Sequence, residues 1–146
     1  MSVFQRMIES SAPAAVVLIR LAVGLVFLSE GIQKFLFPAE VGAGRFAKIG
    51  LPSPEILGPL VGTFEIVCGV LVVLGLLTRV AVIPIIVIML VAIFSTKVPI
   101  LIDKGLWSMA HDSRTDFAML LGSIFLLIVG AGRLSIDSRL GSRRRY

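Results

Sequence analysis

Apolar residues fall along this chain in long blocks separated by short polar or Pro/Gly-rich stretches. A helix that crosses a bilayer needs about 20 mostly apolar residues. Four blocks approach that length: Ala14–Leu36, Gly58–Leu77, Val80–Phe94 extended by Ser95 and Thr96, and Asp116–Gly132. They predict an all-α membrane protein, a four-transmembrane-helix antiparallel bundle forming one domain, with residues 133–146 as a basic tail.

The stretches between the blocks set the connections. Phe37–Leu57 carries Pro38, Gly42, Gly44, Gly50, Pro52 and Pro54, which predicts a loop with one short amphipathic turn around Arg45–Ile49. Pro52, Pro54 and Glu55 mark the start of the second helix. Leu77-Thr78-Arg79 is too short for anything but a tight turn, so the second and third helices are expected as antiparallel neighbours. Lys97–Ser113 is expected as a second loop, with Trp107 as an interface anchor. Gly24 and Gly31, Gly58, Gly62 and Gly69, and Gly122 and Gly130 recur at spacings that let membrane helices approach closely. The third block has neither charge nor glycine and is expected to face lipid or another subunit.

Composition agrees with this class. The chain is 57% hydrophobic with a mean hydropathy of +1.02, beyond what a soluble domain conceals. The first block is too long for the apolar region of a signal peptide and carries Arg20, so it is expected to remain as a span. With one cysteine, Cys68, an internal disulfide and a C-x-x-C dithiol are excluded. With one histidine, His111, so is a bis-His haem within the chain. Cys68 reads as a small buried hydrophobe.

Charge orients the bundle. One side carries Arg6, Arg79, Arg133, Arg139 and Arg143–Arg145 against Glu9 and Asp137. The other carries Lys34, Arg45, Lys48, Lys97, Lys104 and Arg114 against five acids. The positive-inside rule then favours cytoplasmic termini. The arginine tail reads as a topology determinant suited to anionic lipid head groups, not as a nucleic-acid site.

Two acids interrupt the apolar blocks. A charge near the centre of a bilayer costs at least about 2.5–3.5 kcal/mol, so Glu30 and Glu65 are functional-site candidates. At 1.5 Å per residue, both lie about 9–10 Å from the same, outer surface. Lys34 follows Glu30 by one helical turn, and Gln33 adjoins it. The start of the fourth block brings Trp107, His111, Asp112, Arg114 and Asp116 to that side. Ion pairs Glu30–Lys34 and Glu65–Arg114 are expected there. A polar pocket of this kind suits a quinone headgroup, which needs hydrogen-bond donors and takes up protons on reduction. It also suits proton-coupled solute binding. At the inner side Arg20, Arg79, Arg133 and Asp137 are expected as structural ion pairs, with Asp137 bridging Arg79 or Arg20.

Three motifs taken together resemble the DoxX family of small bacterial membrane proteins. They are Arg-Leu-x-x-Gly-x-x-Phe-Leu-x-x-Gly-x-x-Lys from Arg20 to Lys34, Glu65-Ile-x-x-Gly69 with Gly75-Leu-Leu-Thr-Arg79, and Gly-x-Gly132-Arg-Leu-Ser-Ile-Asp137. The resemblance implies a four-helix bundle in the bacterial cytoplasmic membrane with both termini cytoplasmic. It also implies a link to quinone-dependent or stress-related oxidoreductases. No flavin, nicotinamide, haem or cluster fingerprint is present, so electrons would come from a partner or a bound quinone. The expected partners are the bilayer, a soluble oxidoreductase or another membrane subunit, and further copies of the chain. Three readings follow: a quinone-binding redox component, a structural subunit whose buried charges hold the bundle, and a proton-coupled solute carrier.

Overall fold

The computed structural model describes residues 12–143, and side chains of residues 12–141. The orienting charges Arg6, Glu9, Arg144 and Arg145, and the side chain of Arg143, lie outside the described residues. Among the described residues seven helices follow one another: α1 (Val16–Leu36), α2 (Ala43–Lys48), α3 (Pro54–Leu74), α4 (Thr78–Lys104), α5 (Leu106–Asp112), α6 (Arg114–Val129) and α7 (Ile136–Arg143). No strand occurs among the described residues.

Each of the four apolar blocks forms a helix. Three of these helices, α1, α3 and α4, are long and apolar enough to cross a membrane. α6 has 16 residues and rises about 24 Å, short of a hydrocarbon core about 30 Å thick. Ser113 interrupts the helical run just before it, and Gly130, at φ 85°, ends it.

Local chemistry sets the helix ends. Pro54 opens α3, where its missing N–H is no loss, and Glu55 sits in the first turn beside the positive end of the helix dipole. At the other end Gly75 adopts φ 67°. Leu76 N–H donates to Leu71 O at 2.9 Å and Gly75 N–H to Val72 O at 3.1 Å. This is a Schellman closure. A side chain is doubly excluded at Gly75, because a Cβ would meet Arg20 Cζ at 2.7 Å and Ser135 Cβ at 2.6 Å.

α4 departs from expectation. The predicted span stops at Thr96, whereas the helix runs on through Lys97 and Pro99 to Lys104. The expected loop Lys97–Ser113 is therefore mostly helix, the end of α4 followed by α5. Lys97 ended the apolar block as a charge, but it is buried against two carboxylates. A charge with partners does not end a helix.

α1 packs most extensively on α3, and α4 packs on α6 and α3. The glycine stripes explain the closeness of the first pair. A Cβ at Gly24 would lie 2.9 Å from Gly69 O, and one at Gly31 2.7 Å from Gly62 O. Val23, Phe27, Val72, Val82, Ile85 and Leu126 form the core between the helices. Of the most apolar window of α4 only 17% is buried, against 33% in α1 and α3. Its Ile83, Leu90 and Phe94 are exposed, as a helix against lipid requires.

Candidate functional site

Buried charge gathers at both ends of the α1–α3 pair. At one end α1 supplies Lys34, with Glu30 one turn before it, and α3 supplies Glu65. Lys34 Nζ lies 2.7 Å from Glu65 Oε2 and 3.9 Å from Glu30 Oε2. The Lys34 and Glu65 side chains are 8% and 4% exposed, that of Glu30 47%. The expected Glu30–Lys34 contact is present, at the longer distance. The expected Glu65–Arg114 pair is not formed. Arg114 Nη1 instead lies within hydrogen-bond distance of the His111 ring, 2.8 Å from Nε2, on the exposed side. Lys34 takes Arg114's place because Gly31 and Gly62 let α1 close on α3, which brings Lys34 against Glu65. At 2.7 Å the Lys34 ammonium counters the charge of Glu65 Oε2 directly.

These three groups line a cavity of about 380 Å³ between α1, α3 and α4, overhung by α2 and bounded by the start of α6. Small-molecule sites occupy about 300–1,000 Å³. Phe27, Val61, Met89 and Met119 contribute apolar wall, and Arg45, Ser95, Thr96 and Asp116 further polar groups. Ser95 Oγ donates to Val91 O at 2.7 Å, and Thr96 Oγ1 to Ala92 O at 2.6 Å.

The other predicted members of the site divide. Asp116 lines the cavity and holds Lys97, Oδ2 to Nζ 2.8 Å. Gln33 donates to Ser29 Oγ at 3.0 Å on an exposed face and lines no part of the cavity. Trp107 is 85% exposed, consistent in position with an interface anchor but apart from the cavity. His111 and Arg114 also stand apart from it. Sequence reasoning missed Arg45, Ser95, Thr96 and Lys97. The closeness of Asp112 and Asp116, four residues apart, was the available signal for Lys97, since two neighbouring acids call for a cation between them. Lys97 Nζ reaches Asp112 Oδ2 at 2.6 Å, and its hydrogen bond and charge hold the Asp112 carboxyl below the usual carboxylate range.

At the opposite end Arg20 is 3% exposed. Its Nε donates to Val72 O at 3.0 Å, Nη2 to Val73 O at 2.8 Å, and Nη1 to Ala131 O at 2.9 Å and to Leu134 O. These carbonyls include the last of α3, which have no partner within their own helix. Asp137 was expected to bridge an arginine. Instead its Oδ1 accepts from Leu77 N–H at 2.8 Å and its Oδ2 from Thr78 N–H at 3.1 Å, which caps α4. Burial pushes the Asp137 carboxyl above its usual range, against the pull of those two amides. Arg79 Nη2 donates to Ile128 O at 3.1 Å, and Arg133 is exposed. Of the expected inner ion-pair residues, Arg20, Arg79 and Asp137 bond to backbone groups and Arg133 stands exposed.

Comparison with known proteins places these features in a family. The family model described as DoxX matches residues 15–98. The chain is 52% identical over 144 residues to the protein named "Uncharacterized membrane protein Rv3486" of Mycobacterium tuberculosis (strain ATCC 25618 / H37Rv), across 94% of this chain and 88% of that one. It is 31% identical over 135 residues to an "Uncharacterized protein" of Haemophilus influenzae (strain ATCC 51907 / DSM 11121 / KW20 / Rd), across 90% and 95%. It is 29% identical over 120 residues to "Putative oxidoreductase CatD" of Bacillus subtilis (strain 168), across 82% of each chain. No solved structure matches it.

Proposed function

This chain belongs to the DoxX family, and on that footing we propose that it is an integral membrane component of a redox system that binds a quinone-like small molecule in the cavity beside Lys34. In this reading α6 completes a four-helix antiparallel bundle in the bacterial inner membrane. The termini are cytoplasmic, and the cavity lies in the outer half. A partner oxidoreductase docked on the bundle exchanges electrons with the bound molecule, because the chain carries no redox fingerprint of its own.

One observation carries the reading: a mostly apolar cavity of about 380 Å³ with the buried Lys34–Glu65 ion pair in its wall. An apolar chamber with a few convergent polar groups is the form of a small-molecule site. The oxidoreductase name of the Bacillus subtilis relative points to the same chemistry.

The test is a lipid extract of the detergent-purified protein together with titration of a short-chain quinone. Co-purifying quinone, or saturable binding of the added one, reduced at least about tenfold by Glu65→Gln in a still-folded protein, is expected. If wild type binds no quinone and Glu65→Gln changes only the melting temperature, the Glu30–Lys34–Glu65 group is a bundle fastener and the reading fails.

A further inference from the structure

Resting on that reading, we infer that the cavity opens sideways into the bilayer through a slot between α3 and α4, and that its ligand is a bilayer-dissolved amphiphile. The polar head lies at Lys34 and Glu65, and the hydrocarbon tail leaves between the two helices.

The two helices are joined by the short turn at Leu77, and the seam between them is closed at that end only. On α3, Leu57, Val61, Cys68 and Val72 follow one another by four, seven and four residues and so share one face. At Cys68 and Val72, nearer the turn, that face is 5% and 0% exposed and belongs to the core. At Val61 and Leu57, farther from it, the same face is half-buried and lines the cavity. α4 changes in the same way. Val82 and Ile85 are fully buried in the core. Val87 and Val91, farther from the turn, line the cavity and are 55% and 47% exposed.

An α-helix advances about 100° per residue, so Leu90 and Phe94 fall within about 20° of Ile83, on the lipid face of α4. Val87 follows at about 40° from Ile83, Val91 at about 80° and Ser95 at about 120°, all three in the cavity wall. A helix sealed against α3 at this level would carry a buried residue between its lipid arc and its cavity arc. Here the exposed arc runs from one into the other without a break. The edges of the slot, Leu57 and Val61 on one side and Val87 and Val91 on the other, are all apolar. The buried charges, Lys34 and Glu65, lie where α1 meets α3. Toward water the cavity is roofed by α2, whose Phe46 belongs to its lining. A charged inner wall behind an apolar lateral mouth fits a molecule with both characters, and one dissolved in lipid reaches it without crossing water.

The experiment uses the full chain in phosphatidylcholine nanodiscs. A decyl-tailed quinone with a photoreactive diazirine at the tail end is illuminated on wild type, and its attachment is mapped by mass spectrometry. The label is expected on the lips of the slot, at Leu60 and Phe64 of α3, which are exposed, and within residues 87–94 of α4. Decylubiquinone and the same ring without a tail are then titrated separately. Val87→Trp, which fills one edge of the slot, is expected to weaken decylubiquinone at least about tenfold and the tailless ring less than about threefold. Ile83→Trp, one turn away on the lipid face, should change neither. The labelling needs no variant, so it decides the matter if Val87→Trp fails to fold. Tail label on α1, α2 or α6, or a folded Val87→Trp that affects both ligands alike, overturns this inference while leaving the proposed function standing. Binding of neither quinone to wild type overturns both.

Discussion

Helix α1 buries a cation at each end, four turns and about 21 Å apart on nearly one face, and the protein treats the two in opposite ways. Arg20 is saturated: its fork meets carbonyls of α3 and of the segment after α6. No space remains around it, since even a methyl on Gly75 would collide with its guanidinium. Lys34 meets side chains instead, and beside them lies open volume. The same cost of burying charge thus yields a clasp at one end and a chamber at the other. A buried charge marks a candidate binding site when its surroundings are left incomplete, and a structural joint when they are closed.

Replacing the clasp should do the most damage. Arg20→Leu removes the side-chain donor from four carbonyls, of which Val72 O keeps the Gly75 N–H. Hydrogen bonds to charged groups contribute about 1.5–3 kcal/mol each, and folded proteins hold only about 5–15 kcal/mol in reserve. Loss of monodisperse, detergent-extractable protein is expected. Glu65→Gln should cost less, because glutamine keeps the shape of the side chain and Glu30 stays near Lys34 to share its charge. Measured melting temperatures in one detergent decide the order. A mild Arg20→Leu beside a ruinous Glu65→Gln would reverse the assignment of clasp and chamber.

Asp137→Ala comes next. Leu77 stands at φ 49° at the head of α4, a conformation that costs a non-glycine residue on the order of 1–3 kcal/mol. Asp137 holds it by accepting both Leu77 and Thr78 N–H groups. Removal of such a cap should cost about 2 kcal/mol and speed hydrogen exchange at the α3–α4 turn, with quinone binding unchanged. If binding falls as stability does, the two ends are coupled and the division fails.

Much of this was legible in the chain. The apolar blocks mark every long helix, and depths counted through antiparallel helices bring Glu30 and Glu65 to one level, with Lys34 one turn nearer the surface. The glycine spacings foretell the α1–α3 contact. The pairing of charges was not legible, because it depends on how far α1 rotates against α3, and Gly31 on Gly62 sets that by contact of backbones. Arg20's partners were hidden for a different reason: carbonyl oxygens have no letter in a sequence. The full length of α4 was masked by Lys97, whose neutralising acids lie on α5 and α6.

Gly31→Ala sharpens the comparison with a smaller change. The new methyl would sit 2.7 Å from Gly62 O and 2.9 Å from Glu65 Cβ. Overpacking of this kind costs about 1–3 kcal/mol. The helices should part near Lys34 and stay closed near Arg20, so ligand affinity should drop more than the clasp loosens. Hydrogen exchange resolved along α1 and α3 reads this directly. Equal loosening at both ends would show one rigid joint in place of two independent ones.

Lys97 offers the gentlest test, because it stands between the two extremes. Its side chain is 9% exposed, yet its partners Asp112 and Asp116 are 52% and 28% exposed. The lysine holds the Asp112 carboxyl below the usual carboxylate range, so the folded protein binds that proton less readily than the unfolded chain. Stability from this contact is therefore complete above the ordinary aspartate value and is lost as pH falls through the lowered one. Solvent screening keeps its size small. A ¹³C carboxyl titration, assigned with Asp112→Asn, should place Asp112 below ordinary aspartate in wild type and return it toward the ordinary value in Lys97→Met. An Asp112 that titrates as an ordinary aspartate in wild type would mean that Lys97 is not held by this pair, and that the cavity's wall at α4 and α6 is open where a partly closed joint is described.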